Sequence, residues 1–270
     1  MLSVGGETFV FTHDMMIEGV HWLRDGDAAD VAWKLVARNL SDLAAKGATP
    51  VGALLGFTLA GDSAWDARFA EGLAQVCARF DLPLLGGDSG AVPPGSARVL
   101  GLTAIGRAAR GAPARSGARP SDTLWLVGEI GAAFAAYRHL TGAGAATDGE
   151  VTHFLRPTPR LAEGQALARA GASAMCDVSD GLLRDATHIA EASGVTLAIE
   201  RAPVPFAASI TADIANAALR WGDDYALLAT LPPGVAPPCP AARIGYVRAR
   251  GAAPLMLDGV AVTGSLGWEH

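Results

Sequence analysis

Lysine is nearly absent from this chain: Lys34 and Lys46 stand alone, so almost every positive charge is an arginine. That bias suits bidentate contacts with phosphate, and it follows equally from GC-rich coding. Basic charge is also short overall, at a formal net charge of -6. A general nucleic-acid binder is thereby excluded, because no basic excess exists to neutralise a phosphate backbone. Cysteine is scarce too. Cys77, Cys176 and Cys239 are odd in number and widely spaced, match no zinc or disulfide framework, and point to a reducing compartment. The opening MLSVGGETFVF has neither a basic n-region nor a long apolar stretch, so no secretory signal is expected. Apolar runs of membrane length are missing as well: the uncharged stretches near Gly47–Gly61 and Tyr225–Ala242 are broken by Pro50 and by Pro232, Pro233, Pro237, Pro238 and Pro240. A cytoplasmic protein with no membrane partner is the expectation. There is no internal repeat of the solenoid kind. Nor is there a GxxxxGK[ST] loop, a lysine after a glycine-rich turn, or an HRD or DFG triplet, which excludes P-loop and protein-kinase nucleotide sites.

What is present is a 270-residue chain that is 50% hydrophobic, enough for one large domain or two packed ones. Strand-like runs are expected at 8–12, 51–59, 82–85, 99–107, 123–127, 175–178, 197–200, 225–230, 242–247 and 255–257. Helical spacing covers 28–45, 65–80, 132–140, 159–170 and 179–192. This alternation predicts an α/β (α+β) architecture. The aperiodic, Gly-, Pro- and Arg-rich stretch 108–121 is the best linker, dividing the chain into domains 1–110 and 111–270. Thr141–Glu150 reads as a loop, and Leu82–Leu85 as a short buried strand ending at Gly86 and Gly87.

Several aspartates sit in apolar or glycine-rich surroundings: Asp14 after FVFTH, Asp42 in NLSDLAAKGA, Asp88 in LLGGDS, and Asp177 with Asp180 in CDVSDGL. Carboxylates there are costly unless hydrogen-bonded or coordinated. Three of these segments read as strand ends, where α/β sheets place ligands. Hard oxygen donors from several segments are what Mg²⁺ takes, with water and phosphates completing its shell. Taken singly, each Asp is also an ordinary cap or turn former: Asp180 is expected to cap the following helix, and Asp88 sits where a Gly turn accepts Asp. The paired glycines before Asp88 would let backbone amides approach a phosphate. Arg115 in PARSGARP offers a guanidinium clamp for phosphate or is a solvated linker residue. His21 could meet a substrate phosphate or be structural, and His13, His139, His153 and His188 show no ligand spacing.

In order along the chain, THDMMIEGVHW, ARNLSDLAAKGATP, LLGGDS, ARSGARPSD, LRPTPRLAEGQAL, CDVSDGLLRDATHIAEASG, WGDDYALL and the terminal GWEH closely resemble the thiamine-monophosphate kinase family. The match covers nearly the whole chain. The resemblance implies ATP-dependent phosphorylation of thiamine monophosphate to thiamine diphosphate, in the two-domain fold shared with aminoimidazole ribonucleotide synthetase, by a homodimer. Its N-terminal domain would bind ATP and metal and dimerise. By resemblance Thr12, Asp14, Asp42, Asp88, Asp177 and Asp180 are Mg²⁺ ligands. Gly87, Asp88, Arg115 and Ser179 contact ATP, with Asp14, Asp42, Asp88 and Arg115 in catalytic roles. His21, Asp223 and Trp268 match the positions that hold thiamine phosphate; an aromatic face with a carboxylate nearby would attract the cationic thiazolium ring.

Three departures stand beside the resemblance. The family carries a Gly-Asp-Asp-Ala-Ala segment ahead of the first strand matched here, and its lack would leave a metal site short of ligands and a sheet edge unpaired. His13 replaces a hydroxyl residue of the family, and Asp223 stands where Glu is usual. Two rival readings follow: another ATP-using member of the superfamily acting on a different acceptor, and a non-catalytic protein that binds nucleotide or thiamine phosphate. Against the first, the chain lacks the N-terminal Cys of a selenophosphate synthetase and the terminal Cys of a hydrogenase-maturation enzyme.

Overall fold

The computed structural model describes residues 1–93, 95–108 and 112–268. The expected boundary at 110/111 and the terminal Glu269 and His270 lie outside them. The chain divides into one compact unit of Met1–Leu43, Ala48–Arg110 and Leu155–Pro159, and another of Ala44–Gly47, Gly111–Phe154 and Arg160–His270.

The first unit contains β1 (Leu2–Val4), β2 (Glu7–Ile17), α1 (Ala28–Ala44, its last residue counted with the second unit), β3 (Ala48–Leu59), α2 (Ser63–Arg79), β4 (Leu84–Ala91) and β5 (Val99–Ala108). Its sheet runs β1-β2-β5-β3-β4. Parallel β3 and β4 are joined through α2, the crossover that a parallel pair requires, and the other pairs are antiparallel. Along β2 the alternation of side chains buries Val10 and Met16 and leaves Phe11, Met15 and Ile17 exposed. Leu35, Val36, Leu40 and Leu43, at helical spacing on α1, are fully buried. Leu54 of β3 and Leu84 and Leu85 of β4 are exposed, so apolar surface of that sheet is left open. Asp14 falls in the middle of β2, against the expected strand end. β4, at one edge of the sheet, is longer than expected and exposed at every residue. On the opposite side β1 pairs only with Glu7, Thr8 and Phe9, and among the described residues no strand covers β2 beyond Phe9 on that side.

The second unit contains β6 (Thr123–Val127), α3 (Ala132–Leu140), α4 (Asp148–Leu155, its last residue counted with the first unit), α5 (Leu161–Arg169), β7 (Ala174–Val178), α6 (Leu182–Ser193), β8 (Val195–Ile199), α7 (Ala215–Ala218), β9 (Ala226–Leu231), β10 (Ala242–Ala249), β11 (Leu255–Leu257) and β12 (Val260–Ala261). Its mixed sheet runs β12-β11-β8-β10-β6-β9-β7. β7, β8 and β9 are buried at every residue, the pattern of strands covered on both faces. One core cluster joins Leu182, Ala186 and Ile189 of α6 to Cys176, Val178 and Leu197. Another joins Leu167 of α5 to Met175, Leu227 and Ala229. The stretch expected as a loop at 141–150 instead starts α4. Thr147 and Glu150 form a reciprocal cap there: the Glu150 carboxylate accepts the Thr147 N–H at 2.7 Å, and the Thr147 hydroxyl accepts the Glu150 N–H at 3.2 Å. Among the described residues no helix is long and apolar enough to cross a membrane.

Candidate active site

In the first unit, β2 and α1 bring three expected residues together. The Thr12 hydroxyl donates to the Asp42 carboxylate. The Asp14 carboxylate lies 3.6 Å from the Arg38 guanidinium, and its backbone N–H donates to the Asn39 side-chain oxygen at 3.2 Å. Arg38 and Asn39 precede Asp42 by four and three residues, one helical turn, so all three face the same way from α1. Their spacing in RNLSD was the signal for a role that sequence reasoning assigned to Asp42 alone. At the end of β2, His21 Nδ1 accepts the Ile17 N–H at 3.0 Å, which in a neutral ring places its proton on Nε2.

Gly87 and Asp88 are not brought beside this group. The pairings Met15–Gly101, Gly101–Gly56 and Gly56–Asp88 put Asp88 in the row of Met15, one residue out of step with Asp14. Side chains alternate along a strand, so Asp88 and Asp14 start from opposite sheet faces, three strand spacings or roughly 14 Å apart. Asp88 lies within β4 and not in a turn, and it accepts the Ser89 N–H at 2.9 Å. A Cβ on Gly87 would come within 2.1 Å of the Leu55 carbonyl oxygen, so glycine is required there by strand packing alone.

In the second unit, Asp177 is 2% exposed near the carboxyl end of β7. Just beyond it three segments are tied by backbone hydrogen bonds. Asp223 N–H donates to Ser179 O at 2.9 Å, Tyr225 N–H to Val178 O at 2.8 Å, and Trp268 N–H to Asp180 O at 3.0 Å. Ser179, Asp180, Asp223 and Trp268 thus meet at one end of the sheet. Gly222 permits this approach, since a Cβ there would lie 2.1 Å from Ser179 O. Asp223 and Tyr225 both hold left-handed backbone, with φ of 67° and 48°, a conformation disfavoured for side chains of L-residues. Between them Asp224 is buried and accepts N–H groups of Gly131 at 2.8 Å and Ala133 at 3.3 Å, at the start of α3. Burial pushes its carboxyl up to about 8, with the Asp223 charge adding to the rise and the two N–H donors opposing it.

Asp180 does not cap α6. The residue before the helix is Gly181, which makes no side-chain cap, and Asp185 in the first turn reaches back to accept the N–H groups of Ser179 and Asp180 at 3.1 and 3.0 Å. An acid one turn inside a helix is better placed for the preceding amides than one outside it. Arg115 is exposed and starts from the other end of β7, beside the Ala114–Ala174 bridge, with its carbonyl accepting the Ser193 hydroxyl at 3.0 Å. A cavity of about 670 Å³ in this unit is lined in part by Glu129, Glu150, His153 and Arg160, and by none of the expected site residues. Burial there raises the Glu150 carboxyl, but hydrogen bonds from Ser209 and Thr147 outweigh it and hold the group below its ordinary range.

Family models for the AIR synthase related protein match residues 1–108 with its N-terminal domain and 119–253 with its C-terminal domain. Thiamine-monophosphate kinase of Escherichia coli K12 is 37% identical over 238 residues, covering 84% of this chain and 72% of that protein. Among solved structures, thiamine-monophosphate kinase from Stenotrophomonas maltophilia K279a superimposes with a TM-score of 0.86 at 35% identity, over 96% of this chain and 87% of that one. AaThiL complexed with AMPPCP and TMP superimposes with a TM-score of 0.90 at 27% identity, over 100% of this chain and 89% of that one.

Proposed function

This chain belongs to the thiamine-monophosphate kinase family, and on that footing we propose that it transfers the γ-phosphoryl group of ATP to thiamine monophosphate, forming thiamine diphosphate. The observation that carries the reading is similarity along the entire chain to a protein complexed with AMPPCP, an ATP analogue, and TMP. The acceptor is a phosphate oxygen already ionised at neutral pH, so the reaction needs no strong general base. What it needs is neutralisation of two anionic groups and their alignment.

Thr12, Asp14, Asp42 and Asp88 in the first unit, and Asp177 and Asp180 in the second, are the residues that would hold Mg²⁺. All present hard oxygens, and Asp177 is a carboxylate buried among apolar strands, where coordination offsets the cost of its charge. Bound there, Mg²⁺ would neutralise phosphate charge and polarise the phosphoryl group. Asp14 and Asp42 would hold one ion, and Asp88, starting roughly 14 Å from Asp14 across the sheet, would hold another. In the second unit, Asp223 and Trp268 would embrace the thiazolium ring, and Arg115 and Ser179 would contact nucleotide phosphate; in the first unit, His21 would donate from Nε2 to a substrate phosphate, and Gly87 would contact nucleotide. The open apolar face around Phe11, Met15, Leu54 and Leu85 supports a homodimer, since patches of this kind on soluble chains are usually covered by a partner. ATP as co-substrate and three free cysteines support a cytoplasmic location.

The test is an assay with ATP, Mg²⁺ and thiamine monophosphate that quantifies both ADP and thiamine diphosphate. Equimolar formation of the two supports the reading. Turnover of a different phosphate or carboxylate acceptor alone would replace it with another activity of the superfamily. Tight Mg²⁺-dependent binding of both ligands without product would make the chain a sensor. Sedimentation velocity reports the dimer separately.

A further inference from the structure

We infer that His153 is a positioning residue for the substrate: by holding the Asp224 carbonyl it sets the Asp223 carboxylate, and so governs affinity for thiamine monophosphate and not for ATP. The inference rests on the role given to Asp223 in the proposed function. The geometry starts on α4. Glu150 anchors its first turn, accepting N–H and hydroxyl donors of both Thr147 and Ser209. His153 stands three residues further on, hence on the same helix face. Its Nε2 lies 3.0 Å from the Asp224 carbonyl oxygen. A carbonyl only accepts, so Nε2 carries a proton whether the ring is neutral or charged.

That bond fixes a single peptide unit. The Asp224 carbonyl and the Tyr225 N–H belong to the same planar group, and while both are tied it cannot rotate. His153 ties the first, and the Val178 carbonyl accepts the second at 2.8 Å. Rotation of this unit would change the left-handed φ of 48° at Tyr225, a conformation that persists only where surrounding contacts enforce it. Tyr225 in turn carries the hydroxyl that donates to the Asp223 carboxylate at 2.8 Å. Asp224 is buried, so a carbonyl released from the imidazole is cut off from solvent, which favours rotation of the peptide toward another donor.

His153 also borders the cavity of about 670 Å³ in this unit. Truncating it widens space already present, so the hydrogen bond is the main thing lost. The proton sits on a defined ring nitrogen, which makes the role separable from bulk. A glutamine side chain places its amide nitrogen near the position of Nε2, whereas that of asparagine falls near Nδ1.

The experiment is calorimetry of the full chain and of His153→Ala, His153→Asn and His153→Gln with thiamine monophosphate. Alanine and asparagine should weaken binding about 3- to 10-fold, the scale of one neutral hydrogen bond, and glutamine should restore it. Affinity for AMPPCP with Mg²⁺ should be the same in all four proteins. Without ligand, hydrogen exchange at the Tyr225 amide should quicken in the alanine variant and not in the glutamine variant. If His153→Ala fails to fold, the contrast between asparagine and glutamine carries the test. Unchanged thiamine monophosphate affinity in folded His153→Ala, equal losses for both ligands, or asparagine and glutamine variants that behave alike overturn the proposal. Binding is read without turnover, so a chain that binds both ligands and forms no product sinks the kinase assignment and leaves this test intact. A parent chain with no affinity for thiamine monophosphate overturns both.

Discussion

The Tyr225 hydroxyl donates a hydrogen bond of 2.8 Å to the carboxylate of Asp223, two residues earlier in the chain. Both residues hold left-handed backbone, while Asp224 between them is anchored at the start of α3. The carboxylate proposed to meet the thiazolium ring is thus held by a buried phenol and by a backbone that Asp224 locks in place.

Tyr225→Phe keeps the ring and removes the hydroxyl. Loss of one hydrogen bond to a charged group, about 1–2 kcal/mol, should raise KM for thiamine monophosphate roughly 5- to 30-fold and leave kcat within about 2-fold. Steady-state kinetics with that substrate varied at saturating ATP check this. A fall in kcat with KM unchanged would show that Tyr225 does not act through substrate binding.

Asp224→Asn tests the buried carboxyl. Its folded pKa of about 8 lies above the ordinary 3.8, so unfolding releases a proton between those values. Its contribution to stability is full below the lower value and is lost as pH rises through the upper one. Asparagine cannot ionise, and its single side-chain oxygen keeps an acceptor for one of the two N–H groups, which lowers its stability at every pH without changing the slope. Its stability relative to the parent chain should therefore increase from about pH 5 to about pH 8 in urea titrations. Parallel pH profiles of the two proteins would contradict this.

Asp42→Asn preserves an acceptor for the Thr12 hydroxyl but removes a negative charge from the proposed Mg²⁺ set. The expected outcome is a loss of about 10²-fold in kcat, the scale on which single electrostatic groups act, with half-saturation shifted to higher Mg²⁺. Titration of activity with Mg²⁺ measures both. Unaltered kcat and Mg²⁺ dependence would remove Asp42 from the metal set.

Two neighbouring glycines should respond differently to alanine. A Cβ at Gly87 meets the Leu55 carbonyl oxygen at 2.1 Å, whereas one at Gly86 finds only a Leu54 methyl at an ordinary 3.7 Å. Gly87→Ala should destabilise by about 1–3 kcal/mol and Gly86→Ala by less than about 1 kcal/mol. Thermal melts compare them, and equal losses would show that packing against β3 is not what requires Gly87.

Much of the fold could be read locally. The helical spacing of Val31, Leu35, Val36, Leu40 and Leu43 corresponds to α1, and the runs at 123–127 and 132–140 match β6 and α3. The misreadings have physical causes. α4 was hidden in a Gly- and Ala-rich stretch, although TDGE carries the reciprocal cap made by Thr147 and Glu150. The apolar run leading into β4 reads as buried, yet that strand is exposed throughout, whereas β7, also at a sheet edge, is buried at every residue, because burial depends on what packs over a strand and not on the run itself.

Unaided, the order of the short motifs determined the family, composition excluded whole classes of function, and the apolar settings of Asp14, Asp42 and Asp177 marked them for chemistry. Only the tertiary structure decided that Asp14 and Asp42 share a neighbourhood with Arg38 while Asp88 occupies a different row of the sheet. It alone assigned the helix cap to Asp185 and left Oδ1 of that residue facing His188. The reason is that side-chain periodicity is a property of neighbours in the chain, whereas strand register and the partner of a carboxylate are set by contacts between segments tens of residues apart.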